Sequence, residues 1–164
     1  MRFVRYILSL VVLVTLCFAS SAQGILPEVN VKTLDGKTTA IAAEMQTDGL
    51  TILCFWATWC APCKKELDAI SDLYPDWEED YNVKLLAIST DDARALPKVK
   101  PMVLEKDWPF TVLTDSNQEL MRALQFQTVP QTFIIKGGAV VYSHSGYLPG
   151  DEDALEEELI KLSE

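Results

Sequence analysis

Leu50 to Trp56 reads LTILCFW, an apolar run of strand length that stops three residues before Cys60-Ala61-Pro62-Cys63. A run of that kind is consistent with a central strand buried on both faces, which needs cover above and below it. From Pro62 the pattern turns helical: Leu67, Ile70, Leu73 and Tyr74 fall on one face, and Lys64, Lys65, Asp68 and Asp72 on another. Pro75 is expected to break or kink that helix, with Trp77 to Tyr81 resuming it. Val83 to Ser89, VKLLAIS, reads as a second buried strand, so the unit is a βαβ crossover. The paired cysteines sit where a strand hands over to a helix.

Alternation around Asp35-Gly36 in VNVKTLDGKTTAI predicts a small N-terminal hairpin. Ala93 to Lys106 has a helical pattern that Pro97 and Pro101 interrupt, and Phe110 to Leu113 is a short strand. Asn117 to Leu124 is a short helix with Asp115 or Ser116 as its cap. Thr132 to Ile135 and Ala139 to Ser143 straddle Lys136-Gly137-Gly138 as an antiparallel hairpin. Asp151 to Leu162 places Leu155, Leu159 and Leu162 on one helical face, with a solvated acidic face opposite and acids at the N-terminal end, where the helix dipole favours them. The sum is an α/β sandwich around a mixed sheet.

With 164 residues the chain is one domain plus an appendage. The appendage is residues 1–22. Arg2 and Arg5 precede an apolar stretch from Tyr6 to Ala19 and the small residues Ser20, Ser21 and Ala22, the layout of a secretory signal cleaved after Ala22. An uncleaved membrane anchor is the alternative. Cys17 is signal-core filler, because Leu16 stands where a lipid-attachment motif wants a small residue. After Ala22, 12 basic residues face 24 acidic ones, and so acidic a body, with no basic stripe, is a poor partner for nucleic acid or an anionic bilayer.

Export changes what the remaining cysteines mean. Residues 23–164 keep Cys54, Cys60 and Cys63, an odd count where a structural disulfide framework would be even. A bridge between Cys60 and Cys63 closes a very small loop and removes little entropy from the unfolded chain. The pair therefore reads as chemistry. The first thiol of such a pair sits at a helix N-terminus, where free backbone N–H groups and the dipole favour a thiolate, which makes Cys60 the candidate nucleophile. Cys63, one turn inward and shielded, is suited to attack the mixed disulfide that Cys60 forms with a partner. Pro62 fits a first helical turn that needs no intrahelical donor.

The segment FWATWCAPCK, Phe55 to Lys64, resembles the active-site segment of the thioredoxin superfamily, and Val129-Pro130 followed by Gln131-Thr132 and an apolar strand matches that family's cis-proline loop. The exported precursor, the N-terminal hairpin, the helix and strand inserted near Ala93 to Leu113, and Cys63-Lys64-Lys65-Glu66 resemble its TlpA/ResA branch. The resemblance, over roughly Leu26 to the C-terminus, implies a three-layer thioredoxin-like sandwich with the mixed sheet flanked by helices. It implies a thiol-disulfide oxidoreductase, periplasmic or on the outer face of a membrane, that needs no metal or organic cofactor. It also implies a cis bond before Pro130, whose loop would offer Val129 main-chain hydrogen bonds to an extended substrate strand. Trp59, Ala61 and Pro62 would join Val129 and Pro130 at the substrate-facing rim, with Trp56 packed beneath. The buried Asp that cytosolic thioredoxins carry six residues before the first cysteine is replaced by Cys54. Glu66 matches a Glu implicated in proton handling in the ResA-like branch, and a solvated helix-surface Glu is its plain alternative. Ala-Pro between the cysteines lacks the His of strongly oxidising relatives, which points to a reductant. Implied partners are disulfide-bearing clients such as apocytochrome c, and a membrane thiol transporter of the CcdA or DsbD kind as electron donor, with the protein itself a monomer.

Other readings compete. A non-catalytic thioredoxin-fold module would capture extended peptides at the Pro130 loop. Copper carriers of this fold use CxxxC with a nearby His, and a peroxiredoxin needs Pro and Thr ahead of its cysteine at a spacing that Ala57 and Thr58 do not meet. Cys54, Cys60, Cys63 and His144 make four zinc ligands on paper, yet no second paired cluster exists. Cys54 is read as a small core filler and His144 as a structural or surface residue. Lys64 and Lys65 either raise the local potential near Cys60 or are plain exposed helix residues.

Overall fold

The computed structural model describes Leu26 and residues 28 to 164. The expected signal or anchor, with Cys17, lies outside the described residues. Seven strands form one sheet: β1 (Asn30–Thr33), β2 (Thr38–Ala40), β3 (Leu50–Trp56), β4 (Val83–Ser89), β5 (Thr111–Thr114), β6 (Gln131–Lys136) and β7 (Ala139–Ser145). Their spatial order is β2-β1-β5-β4-β3-β6-β7. β3, β4 and β5 run parallel, while β1 and β6 join the parallel set from either side in antiparallel register. β3 lies between β4 and β6, and each of its seven residues is buried.

Each face of β3 has its own core. Ile52, Cys54 and Trp56 point to one side, packed with Cys63, Leu67, Ile70, Tyr74 and Trp77 of helix α2 (Ala61–Tyr81) and with Leu155 and Leu159 of α5 (Asp151–Ser163). Leu53 and Phe55 point to the other, against Ile41 of α1 (Ile41–Glu44), Leu120 of α4 (Glu119–Ala123) and Phe133. Burying each large aliphatic side chain contributes about 1.5–3 kcal/mol, so both layers are needed to hold the strand at the centre. The expected sandwich is present, with the hairpin at one edge and α3 (Val99–Lys106) leading into the inserted β5.

Three local expectations are corrected. α2 does not break at Pro75 but runs on to Tyr81, because Tyr74 and Trp77 on either side of the proline are both anchored in the core. Ala93 to Lys106 divides into a 3-10 turn, Leu96–Lys98, and α3; Pro97 and Pro101 each fall in a first turn, where the missing N–H costs nothing. α4 starts at Glu119, later than expected, after Gln118 in a left-handed conformation. Asp115 still acts as its cap from a distance, accepting from the amides of Glu119 (2.9 Å) and Met121 (3.0 Å).

The register of β3 against α2 is closed at the end away from the cysteines. α2 stops at Asn82, in the left-handed region, whose carbonyl accepts from the Leu50 amide (3.3 Å). Gly49 packs so close that an added Cβ would lie 2.4 Å from that carbonyl oxygen. Replacing Pro75 with alanine restores a main-chain donor inside α2 and is expected to stabilise the oxidised protein by about 1–2 kcal/mol in urea unfolding, the gain in helix bonding being offset in part by a freer unfolded chain. An unchanged or lower stability would show that the helix is already fully adapted to the proline.

Candidate active site

The β3–α2 junction places the cysteines. Cys60 is the N-cap of α2 with extended backbone angles, its amide donating to the Ala57 carbonyl (3.0 Å). Its Sγ accepts a hydrogen bond from the Cys63 amide (3.3 Å), one of the donors that a helix N-terminus leaves free. Cys60 and Cys63 are joined in a disulfide with Cα atoms 5.4 Å apart. Cys60 retains 3 % of its surface and Cys63 none, so what contact the pair has with solvent is on the Cys60 side.

Around them the structure sorts the sequence-derived candidates by depth. Trp59 is 71 % exposed, and Ala61 and Pro62 are exposed at the start of the helix. Trp56 is fully buried, edge-on to Trp108 at 5.1 Å between ring centres. The Val129–Pro130 bond is cis. Val129 packs on the core that contains both cysteines, and the Pro130 carbonyl accepts from the Gly146 amide (2.9 Å). Lys64 donates from Nζ to the Thr58 carbonyl (3.1 Å), while Lys65 is exposed. His144 Nε2 lies 3.3 Å from Asp151 Oδ2 at the start of α5. Among the described residues, no group of three or more His, Cys, Asp or Glu is placed to hold a metal ion.

Glu66 is not a helix-surface residue. Facing the sheet one turn beyond Cys63, it is 4 % exposed, and its Oε1 accepts from the Thr132 hydroxyl (2.8 Å). Burial raises its carboxyl from the ordinary range to about 7; the Thr132 hydrogen bond opposes the rise and the charge of Asp151 adds to it. The same Thr132 hydroxyl lies 3.8 Å from Cys54 Sγ. Cys54 is a free, fully buried thiol, pushed well above its usual range by burial first and by Glu66 second, with Thr132 opposing. A buried carboxyl behind the disulfide is thus supplied from α2, while β3 contributes Cys54. No hydrogen bond joins Glu66 to either sulfur among the described residues.

Sequence reasoning missed two groups. Thr132, which the sequence places after Val129-Pro130 at the start of a strand but gives no role, is the contact between Glu66 and the strand that follows cis Pro130. Thr90 and Asp91, just past the strand that ends at Ser89, are given no role by the sequence pattern, yet both are buried and bonded to the residues that lead into Cys60. The available signal was polar residues at the C-terminal end of a parallel strand, where sites on α/β sheets gather.

Residues 23–143 match the AhpC/TSA family. The chain is 33% identical over 110 residues to the thiol-disulfide oxidoreductase ResA of Bacillus thuringiensis subsp. konkukian, covering 66% of this chain and 61% of that protein. It is 31% identical over 105 residues to the sporulation thiol-disulfide oxidoreductase A of Bacillus subtilis, covering 63% of this chain and 61% of the relative. The chain thus spans about six-tenths of the length of these curated relatives. Among solved structures, an uncharacterized thioredoxin-like protein from Porphyromonas gingivalis superposes with a TM-score of 0.74 at 37% identity, over 84% of this chain and 91% of that one. The chain belongs to the AhpC/TSA family and is a thioredoxin-like member of it.

The raised Glu66 carboxyl has a measurable consequence. In the unfolded chain a Glu titrates near ~4.3. In the folded protein Glu66 titrates at about 7, so between these values the folded state holds a proton that the unfolded state has lost. Stability therefore falls as pH rises through that window and then levels, by about 4 kcal/mol at most from this group. Subtracting the pH–stability curve of Glu66→Gln from that of the wild type, both oxidised, is expected to isolate this loss. Parallel curves would contradict the raised carboxyl.

Proposed function

We propose that this thioredoxin-like member of the AhpC/TSA family is an extracytoplasmic thiol-disulfide oxidoreductase that reduces disulfides in client proteins. In the reduced enzyme the Cys60 thiolate attacks one sulfur of a client disulfide. That S–S bond breaks, a mixed disulfide forms at Cys60, and the second client sulfur leaves as a thiolate that takes up a proton. Cys63 then loses its proton and attacks Cys60 Sγ, the mixed disulfide breaks, and the remaining client sulfur departs. Two electrons pass from the enzyme to the client, and the enzyme ends with the Cys60–Cys63 bridge.

The observation that carries this reading is the position of Cys60 as the N-cap of α2, its sulfur facing the Cys63 amide while Cys63 itself is closed off from solvent. A thiolate there gains from the helix dipole and the free amide. Glu66, with a carboxyl raised to about 7 one turn along α2, is suited to accept the Cys63 proton near neutral pH and to return it. Exposed Trp59, with Ala61 and Pro62, forms one side of the client rim and the cis Val129–Pro130 loop the other. The names of the curated relatives support the same chemistry.

The remaining features are proposed on the resemblance. Ala-Pro between the cysteines favours the reducing direction, and a membrane thiol transporter of the CcdA or DsbD kind would then restore the dithiol. Apocytochrome c awaiting haem is the proposed client. Residues 1–22 would direct export or tether residues 23–164 outside the membrane; no described helix is long and apolar enough to cross one.

Insulin-disulfide reduction driven by dithiothreitol separates exchange from peptide capture. The wild type is expected to exceed the reagent alone, Cys60→Ser to fall to that background, and Cys63→Ser to retain clients as mixed disulfides visible on non-reducing gels. A wild type indistinguishable from dithiothreitol would leave only a binding module.

A further inference from the structure

Under the turn that leads into Cys60 lies a carboxyl group that the exchange steps do not use. Asp91, just past the end of β4, has no exposed surface. Its Oδ2 accepts from the Thr58 amide and from the Ser89 hydroxyl, and its Oδ1 from the Thr58 hydroxyl, each at 2.8 Å. Its own amide donates to Ser89 Oγ (3.2 Å). Among the described residues no Lys, Arg or His forms an ion pair with it. Taking a carboxylate out of water without a cation is costly unless hydrogen bonds replace the lost solvent, and a buried network whose members are all satisfied makes its surroundings rigid.

What it makes rigid is the approach to the nucleophile. Thr58 is two residues before Cys60, and Asp91 grips it through both main chain and side chain. Next to Asp91, Thr90 donates through its amide (2.8 Å) and its hydroxyl (3.2 Å) to the Trp56 carbonyl. The end of β4 therefore clamps the chain on both sides of Ala57, whose carbonyl receives the Cys60 amide. From above, Lys64 binds the Thr58 carbonyl and ties the same turn to α2.

We propose that Asp91 is a positioning residue for the exchange reaction: by holding Thr58 it fixes the path of residues 56–59 and so sets the Cys60 sulfur against the amides at the mouth of α2. This inference rests on the exchange role of Cys60 proposed above. Without the clamp the turn samples other conformations, the sulfur loses its alignment with the Cys63 amide, and the thiolate is less stabilised. Asp91 touches neither sulfur nor client in this arrangement; it acts through Thr58.

The test compares reduced wild type, Asp91→Ala, Asp91→Asn and Thr58→Val by the pH dependence of iodoacetamide labelling at Cys60, read by mass spectrometry, together with insulin-reduction kinetics. Asp91→Ala is expected to move the labelling midpoint upward, toward the ~8.5 of a free thiol, and to lower kcat about tenfold or more with little change in KM. Thr58→Val loses one arm of the clamp and should move both quantities the same way by a smaller step. Asp91→Asn keeps an oxygen for the Thr58 amide and a donor for the Thr58 hydroxyl oxygen, and should recover most of both. An Asp91→Ala protein that melts earlier but keeps the wild-type labelling midpoint and kcat overturns the proposal, and so does an Asp91→Asn protein as impaired as Asp91→Ala. Should Asp91→Ala not fold, Thr58→Val decides: an unchanged midpoint and kcat overturn the proposal. A wild type inactive on insulin would defeat the exchange reading, whereas the labelling midpoints would still show whether Asp91 sets the sulfur.

Discussion

The hydrogen bond from the Cys63 amide to the Cys60 sulfur exists because a strand buried on both faces ends where a helix buried on one face begins. β3 cannot shift without exposing Ile52 on one side or Leu53 and Phe55 on the other, and α2 cannot turn without withdrawing Leu67, Ile70 and Trp77 from the core. With both elements fixed, the N-cap of α2 falls on Cys60, and the bonds from Thr58 to Asp91 hold the turn between them. Contacts far from the sulfur serve the same end: the fit of Gly49 to the Asn82 carbonyl closes the opposite end of the strand–helix pair.

For the exchange proposed above, a sulfur so placed would need two further things, a way for proteins to reach it and a way for protons to leave. Trp59 beside it is exposed, and half-buried Val129, joined by a cis bond to buried Pro130, packs on the core that contains the cysteines, with the Gly146 amide on the Pro130 carbonyl. The core side carries Glu66, Thr132 and Cys54, three groups of which only Glu66 changes charge near neutral pH. Position 54 on β3 carries a small buried thiol, the acid facing it comes from the helix, and burial tunes that acid. In the exchange proposed above the division of labour is spatial: Cys60 would meet the client, with Cys63 fully buried and Glu66 one turn further along α2.

Much of this was legible in the chain because the signals were local. LTILCFW followed at once by WCAPC and a helical period specifies a buried strand, a cap and a helix from adjacent residues, and Asp35-Gly36 and Gly137-Gly138 mark their hairpins in the same way. What was not legible depended on contacts between distant segments. Glu66 shares the buried face of α2 with Cys63, Leu67 and Ile70, but its hydrogen-bond partner, Thr132, is 66 residues later. Asp91 meets Thr58 across 33 residues, and in the linear sequence it is one of two adjacent acids after a strand, with nothing to separate the buried one from exposed Asp92. Pro75 misleads for a related reason: local propensity predicts a break, and the burial of Tyr74 and Trp77 carries the helix through.

The direct measure of the central claim is the thiolate absorbance of the reduced wild-type protein in the ultraviolet as pH is raised. Cys54, held far above its usual range by burial, stays silent through the neutral region. A single sulfur titrating clearly below the ~8.5 of a free thiol, and lost in Cys60→Ser, is the result the N-cap geometry requires. A midpoint at or above that value would mean that the helix does not hold the sulfur as an anion, and the account of the site would fail with it.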